Sequence, residues 1–334
     1  MLKKYLIQFL KIAVPISLGI YLVVHIYGQL DESQRSDLFL AFSRANYFWV
    51  GISLLLGLSS HFLRGYRWSF QLNAMGYHTR QANNFMSVMV GYIVNMALPR
   101  VGEVSRAATI TKFEGVPFQK SFGSILSERA IDLVVLLLIT GITVIFQYHN
   151  LTDFVSALME KIRDVAGSGV VQLILLAVVV CVLFGIYALR TYKHIPAIAK
   201  VHTLVQGLLE GLRSIFRMEK SGLYILATVG IWGLYIGMYW ICFLSLDETA
   251  HLGPDAVFTG FVLGSFAIAL IPGGIGAFPV GVMQSLILFG IAKETGFALG
   301  WIIWSSQTIL VLVVGGASML LLPIYNKKRS YVKT

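Results

Sequence analysis

The chain alternates long apolar runs with short polar connections. A helix that crosses the hydrocarbon core of a bilayer needs about 20 predominantly apolar residues. Six runs reach or approach that length, at about 9–27, 47–63, 121–146, 170–189, 222–245 and 297–322. Two further runs, about 84–98 and 256–271, stop short at a proline. The chain there reads Met96-Ala97-Leu98-Pro99-Arg100-Val101-Gly102-Glu103 and Ala269-Leu270-Ile271-Pro272-Gly273-Gly274-Ile275-Gly276. A weakly apolar stretch, 101–111, follows the first break, and a strongly apolar one, 276–292, follows the second. Proline removes a backbone donor and glycine loosens a helix. Broken backbone at membrane depth is tolerated only where protein buries it or where it lines a polar cavity. Paired breaks in corresponding places are therefore a pointer to a transporter's binding site.

Charge decides how the runs are threaded. Lys and Arg concentrate on the cytoplasmic side of membrane proteins. If 84–98 crossed the membrane, Arg64, Arg67 and Arg80 would be separated from Arg100, Arg106, Lys112 and Lys120. If 84–111 is a hairpin that dips in and returns, all seven stay on one side. The same logic makes 256–292 a hairpin entering from the other face. The expected fold is thus an all-α polytopic membrane protein with six full spans, two re-entrant helical hairpins and both termini cytoplasmic. This threading places 20 of the 26 basic residues inside and five outside. Hairpins entering from opposite faces are what an inverted repeat produces, with halves at roughly 47–146 and 222–322 of a single transmembrane domain spanning 1–334. The alternative is eight or more spans with broken helices.

Composition narrows the class. The 334 residues are 57% hydrophobic and 13% charged, with a mean hydropathy of +0.76. No polar stretch is long enough for a separate soluble domain. The N-terminal Leu2-Lys3-Lys4 and the run behind it carry no convincing cleavage site, so a retained first span is expected. The net charge of +10 fits basic loops beside anionic lipid, and nucleic acid is not an expected partner. Cys181 and Cys242 both lie in apolar runs and form no disulfide framework or metal motif. The seven histidines show no metal-ligand spacing, so no cofactor or metal is expected.

Several polar residues stand where apolar ones belong. Ser127-Glu128-Arg129-Ala130-Ile131-Asp132 opens an otherwise greasy span. Glu128 and Asp132 share a helical face, and Arg129 is three residues from Asp132. Ionisable groups inside spans usually face the bundle interior in pairs. The cluster is either an interfacial edge or the floor of a headgroup-sized cavity. The first break adds Arg100, Glu103 and Arg106, where guanidinium groups match phosphate geometry; a plain basic edge is the competing reading. Arg67, in Arg64-Gly65-Tyr66-Arg67-Trp68, has the look of an interfacial belt. Asn95 could cap exposed backbone at the first break. At the second, Gly273 and Gly274 could offer backbone N–H groups to an anion or let helices pack closely.

Taken in order, Arg64-x-x-Arg67-Trp68, Leu98-Pro99-Arg100-x-Gly102-Glu103-x-x-Arg106, Ser127-Glu128-Arg129-x-x-Asp132 and Pro272-Gly273-Gly274-x-Gly276 resemble the lysylphosphatidylglycerol synthase transmembrane, or flippase-like, family. The resemblance covers roughly residues 5–325. It implies an inner-membrane protein whose re-entrant helices line a lipid-accessible cavity, and translocation of modified phospholipids between leaflets. It also implies a homodimer. Bifunctional members add a soluble aminoacyl-tRNA-dependent transferase, for which these residues leave no room, so lipid aminoacylation is not expected. The family's second motif is typically followed by a Glu near position 279, where this chain has Pro279.

The expected function is a lipid translocase, not an enzyme. It would hold an anionic or modified headgroup among Arg67, Asn95, Arg100, Glu103, Arg106, Glu128, Arg129, Asp132, Gly273 and Gly274. The competing functions are a small-solute or ion secondary transporter, and a partner subunit for a separate lipid-modifying enzyme.

Overall fold

The computed structural model of the chain describes residues 17–98, 101–147 and 218–327. The run at 170–189 with Cys181, and the Pro99-Arg100 step of the first break, lie outside the described residues. Every regular element among the described residues is helical. Residues 17–29 form α1. They are followed by α2 (Glu32–Arg44), α3 (Tyr47–Ala74), α4 (Gln81–Ala97), α5 (Gly102–Glu114) and α6 (Phe118–Phe146). After the gap come α7 (Ser221–Ile241), α8 (Pro254–Leu270), α9 (Ala277–Ile287) and α10 (Lys293–Asn326).

Three helical stretches, Phe118–Phe146, Ser221–Ser245 and Lys293–Asn326, are long and apolar enough to cross a membrane. The pair α2 and α3 makes a fourth if counted as one span bent by 69°. The bend has a local cause. Two caps meet there: Ala45 ends α2, and Asn46 opens α3 by accepting a hydrogen bond from Phe48 N through Oδ1 at 3.1 Å. The chain is therefore a multi-pass membrane protein, helical in every regular element of its described residues.

Two compact units can be separated, residues 1–126 with 218–334, and residues 127–217. Within the first, α3 and α7 pack antiparallel. Ser53 Oγ donates to Met238 O at 2.8 Å near one end, and Arg67 Nη1 donates to Thr228 Oγ1 at 3.2 Å near the other. The small residue Gly230 lets α7 approach Leu63. Helix α4 runs antiparallel to α10, pairing Asn83 with Asn326 and Met89 and Ile93 with Gly315.

Both interrupted segments fold back on themselves. In the first, a Cβ on Gly102 would stand 2.0 Å from Gly91 O, and one on Gly91 would stand 3.2 Å from Arg106 Cβ. Only glycine allows α4 and α5 so close. In the second hairpin Gly264 meets the Phe278 ring, and Gly281 meets Leu263, so α8 and α9 also run antiparallel. The boundaries agree with the apolar runs: α4 ends at Ala97, α8 at Leu270, and α9 starts at Ala277.

The first unit has two chemically different ends. At one, Arg80, Glu114 and Asn326 meet, so both ends of the first hairpin lie beside the C-terminal end of α10. At the other, Asn46 N donates to Ser245 O at 2.8 Å. Leu30 and Leu38 pack there with Met283, Phe297 and Ala298.

Candidate functional site

The first break is held from its own hairpin. Helix N-termini leave backbone N–H groups without intrahelical partners. Val101, which precedes α5, supplies no side-chain cap. Asn95 does so from the facing helix: its Oδ1 accepts from Gly102 N at 2.8 Å, and its Nδ2 donates to Glu103 Oε2 at 3.2 Å. The sequence-predicted role of Asn95 as a backbone cap is thus met in the geometry. Arg100 lies outside the described residues.

Arg106 stands one turn after Glu103 and is 4% exposed. Its guanidinium carbon is 4.0 Å from the centroid of the Trp68 ring. That distance permits a desolvated cation–π contact. The indole is itself fixed, because Trp68 Nε1 donates to Ser124 Oγ at 2.8 Å. Beneath it lies an apolar cluster of Leu72, Ala107, Ile110, Val116 and Ile125.

Arg67 is fully buried. It donates to Thr228 Oγ1 and lies 5.5 Å over the Tyr224 ring. Arg64, also buried, donates through Nε to Tyr235 OH at 3.2 Å and lies over the same ring. The interfacial-belt reading of this segment is corrected here. Helix α3 continues to Ala74, ten residues past Arg64, and Arg64, Arg67 and Trp68 all point inward. Only Tyr66 faces out. Buried arginines in apolar helices are costly and mark functional positions.

The second break is built differently. Pro272–Gly274 forms a 3-10 turn, and Gly273, Gly274 and Gly276 all have positive φ, which strains any residue with a side chain. Gly276 also presses against Gly19 of α1, where an added Cβ would come within 2.2 Å of Gly19 O. Trp304 Nε1 donates to Gly273 O at 2.7 Å. Close packing and turn geometry thus account for these glycines. Helix α4 touches the Pro272–Gly274 turn, so the helix that enters the first break also contacts the second.

Glu128, Arg129 and Asp132 belong to the other unit. Glu128 and Asp132 are buried and one turn apart on α6, whereas Arg129 is exposed on another face of that helix. The shared face of the two acids follows from their spacing.

Sequence reasoning missed the partners. Tyr224, Thr228 and Tyr235 hold the α3 arginines from α7, across 161 residues in the case of Arg67 and Thr228. It also missed a network of Arg80, Asn83, Glu114 and Asn326. One signal was available: His61, Arg64, Arg67 and Gln71 recur at helical spacing along α3, a polar stripe in an apolar helix.

The family model described as "Lysylphosphatidylglycerol synthase TM region" matches residues 9–315. The chain belongs to this family. A curated relative, UPF0104 membrane protein MJ1595 of Methanocaldococcus jannaschii, is 27% identical over 95 residues, which is 28% of this chain and 28% of that protein. The aligned part thus spans little more than a quarter of the relative's length. No solved structure gives a significant match. Family membership ties this membrane domain to lipid handling.

Proposed function

We propose that the protein moves a phospholipid, or another lipid with an anionic or modified headgroup, between the leaflets of the inner membrane. Arg67 and Arg106 take the headgroup phosphate, Asn95 and Glu103 fix the break beside it, and the acyl tails stay in the bilayer. Gly273 and Gly274 keep the second break narrow. One observation carries this reading: two broken helices, each folded as a glycine-tight hairpin, meet where α4 touches the Pro272–Gly274 turn. Non-helical backbone at membrane depth needs such shelter, and transporters place their sites where paired breaks meet.

The same reading carries the topology. Both hairpins are taken as re-entrant, from opposite faces, in an inverted repeat of α3–α6 and α7–α10. The order of long helix, hairpin and long helix occurs in both halves, and α3 and α7 run antiparallel, as inversion requires. The end carrying Arg80, Lys112, Lys120 and Lys327 is cytoplasmic; the end carrying Asp31, Glu32, Asp37, Asp247, Glu248 and Asp255 is external.

The test is reconstitution of the purified chain in liposomes with a panel of fluorescent anionic, zwitterionic and cationic lipids. Accelerated transbilayer movement of at least one class is expected. Arg106→Ala and Arg67→Ala should each slow it by about tenfold or more, the scale of one lost charge-assisted contact. Arg35→Ala, at the other end of the unit, should leave it unchanged. No acceleration for any lipid rejects the reading, and uptake of a small solute in its place moves the function to solute transport.

A further inference from the structure

We propose that the first hairpin is a gate: a polar clasp at its open end holds it shut over a buried polar track on its inner face. What passes the gate rests on the translocase reading above; the gating does not.

The clasp ties three helix ends together. Arg80, the residue before α4, donates through Nε to Glu114 Oε1 at 2.8 Å, and Glu114 is the last residue of α5. Asn83 Nδ2 bonds the same carboxylate oxygen. Asn326, the last residue of α10, donates through Nδ2 to Asn83 Oδ1 at 2.9 Å and to Leu322 O at 2.8 Å. Arg80 Nη2 donates to Asn326 Oδ1, and the Arg80 guanidinium carbon lies 5.1 Å from the Tyr325 ring centroid. The Glu114 side chain is 6% exposed and the Arg80 side chain 28%, so the pair is sheltered on one side and reachable by water on the other. Paired amides and a carboxylate bonded by a guanidinium hold by geometry as well as charge. Next to them Met86, Val90 and Leu322 form an apolar contact against which Ala82, Phe85, Val94 and Phe113 pack. The outermost fastening, at the helix ends, is polar, and polar fastenings exchange readily with water.

The track begins beside the clasp. Asn84, Ser87, Gly91 and Asn95 recur at spacings of three and four, so they form one stripe along α4. Gly91 and Asn95 meet α5, so the stripe faces into the hairpin. Asn84 and Ser87 are each 0% exposed. Both amide atoms of Asn84 and the Ser87 hydroxyl are buried without a hydrogen-bond partner. Buried polar groups are nearly always satisfied, and leaving them unsatisfied is costly. The shut hairpin thus carries a standing penalty that opening removes, because water or a headgroup can then reach both side chains. Arg106 leaves α5 opposite Gly91, at the middle of the stripe. An opened track therefore offers uncharged donors and acceptors on α4 and a cation on α5. That set suits the phosphate and hydroxyl oxygens of a hydrated lipid headgroup.

The experiment uses the full chain in membranes with Cys181 and Cys242 replaced. Ser87→Cys is labelled with a membrane-impermeant thiol reagent, with and without Asn326→Ala. Breaking the clasp should speed labelling by about tenfold or more, as loss of charge-assisted contacts shifts a two-state equilibrium. Ile110→Cys, on α5 but in the apolar core with Trp68, Leu72 and Ile125, should stay slow in both backgrounds. An unchanged Ser87→Cys rate overturns the gate, and so does parallel acceleration at Ile110→Cys, because that is unfolding. In a second arm, Asn83→Cys with Asn326→Cys is joined by copper-phenanthroline oxidation and assayed in liposomes. Lipid movement should stop and return on reduction. Undiminished movement in the joined protein overturns the gate. If no variant moves lipid yet labelling follows the clasp, the gate stands and the translocase falls.

Discussion

The two hairpins are built on one plan with different materials. In the first, α4 and α5 touch through Gly91 and Gly102, and polar side chains organise the break: Asn95 caps Gly102 N, binds Glu103, and Arg106 stacks on Trp68. In the second, α8 and α9 touch through Gly264 and Gly281 against Phe278 and Leu263, and the break is a turn of three positive-φ glycines. Among the described residues, its one side-chain hydrogen bond comes from Trp304. Both solve the same problem, which is to fold interrupted backbone among apolar helices. The first does so with groups that also bind anions, the second with shape. The headgroup chemistry proposed above is therefore assigned to the first hairpin.

The largest effect should come from closing the space at the first contact. Gly102→Ala puts a Cβ 2.0 Å from a backbone oxygen and 2.5 Å from the Asn95 side chain. Neither can retreat without splaying the hairpin, so a loss of about 3 kcal/mol is expected, at the top of the usual range for overpacking. Gly281→Ala, its counterpart, meets Leu263 O at 3.3 Å. A neighbour at that distance gives a little, and the cost should stay below about 1 kcal/mol. Thermal unfolding in detergent, followed by size-exclusion chromatography, measures both. Equal losses would show that the two contacts are equally tight, and the comparison would fail.

Next in size is Asn95→Ala, which removes the cap on Gly102 N and the bond to Glu103. Cap loss and one further hydrogen bond amount to about 1–2 kcal/mol. Asn95→Asp keeps the acceptor for Gly102 N but sets a carboxylate against Glu103. If the cap matters more than the Glu103 bond, the Asp variant should be the more stable of the two. The reverse order would place the weight of the break on Glu103.

Much of this comparison could be read from residues alone, for a physical reason. Proline and glycine act locally, so the ends of the apolar runs at 98 and 271 fall within a residue of the ends of α4 and α8. Asn95 was legible as a cap because it stands beside the break it caps. The fixed spacing of Glu128 and Asp132 gave their shared face. The rest depends on pairings across long separations, which no local rule sets. Arg80 and Asn326 meet across 246 residues, and Arg67 finds Thr228 only because α3 and α7 pack antiparallel. Arg64 and Arg67 looked interfacial because the apolar run ends at 63; the helix continues because neighbours on α7 receive both guanidinium groups.

The smallest effect is also the one that tells what surrounds the second break. Trp304→Phe keeps the ring's apolar body and removes the hydrogen bond to Gly273 O. Gly273 is exposed in the structure, whereas Gly274 behind it is buried. If the exposed carbonyl faces a hydrated cavity, water takes the place of the indole, and the cost should be about 0.5–1 kcal/mol. If it faces lipid tails, nothing replaces the donor, and an orphaned carbonyl costs several kcal/mol. Unfolding of the variant in lipid nanodiscs separates the two cases. A small loss fits a wet break opposite the arginine-bearing hairpin. A loss as large as that of Gly102→Ala would make the second break a dry packing joint and leave the polar path to the first hairpin alone.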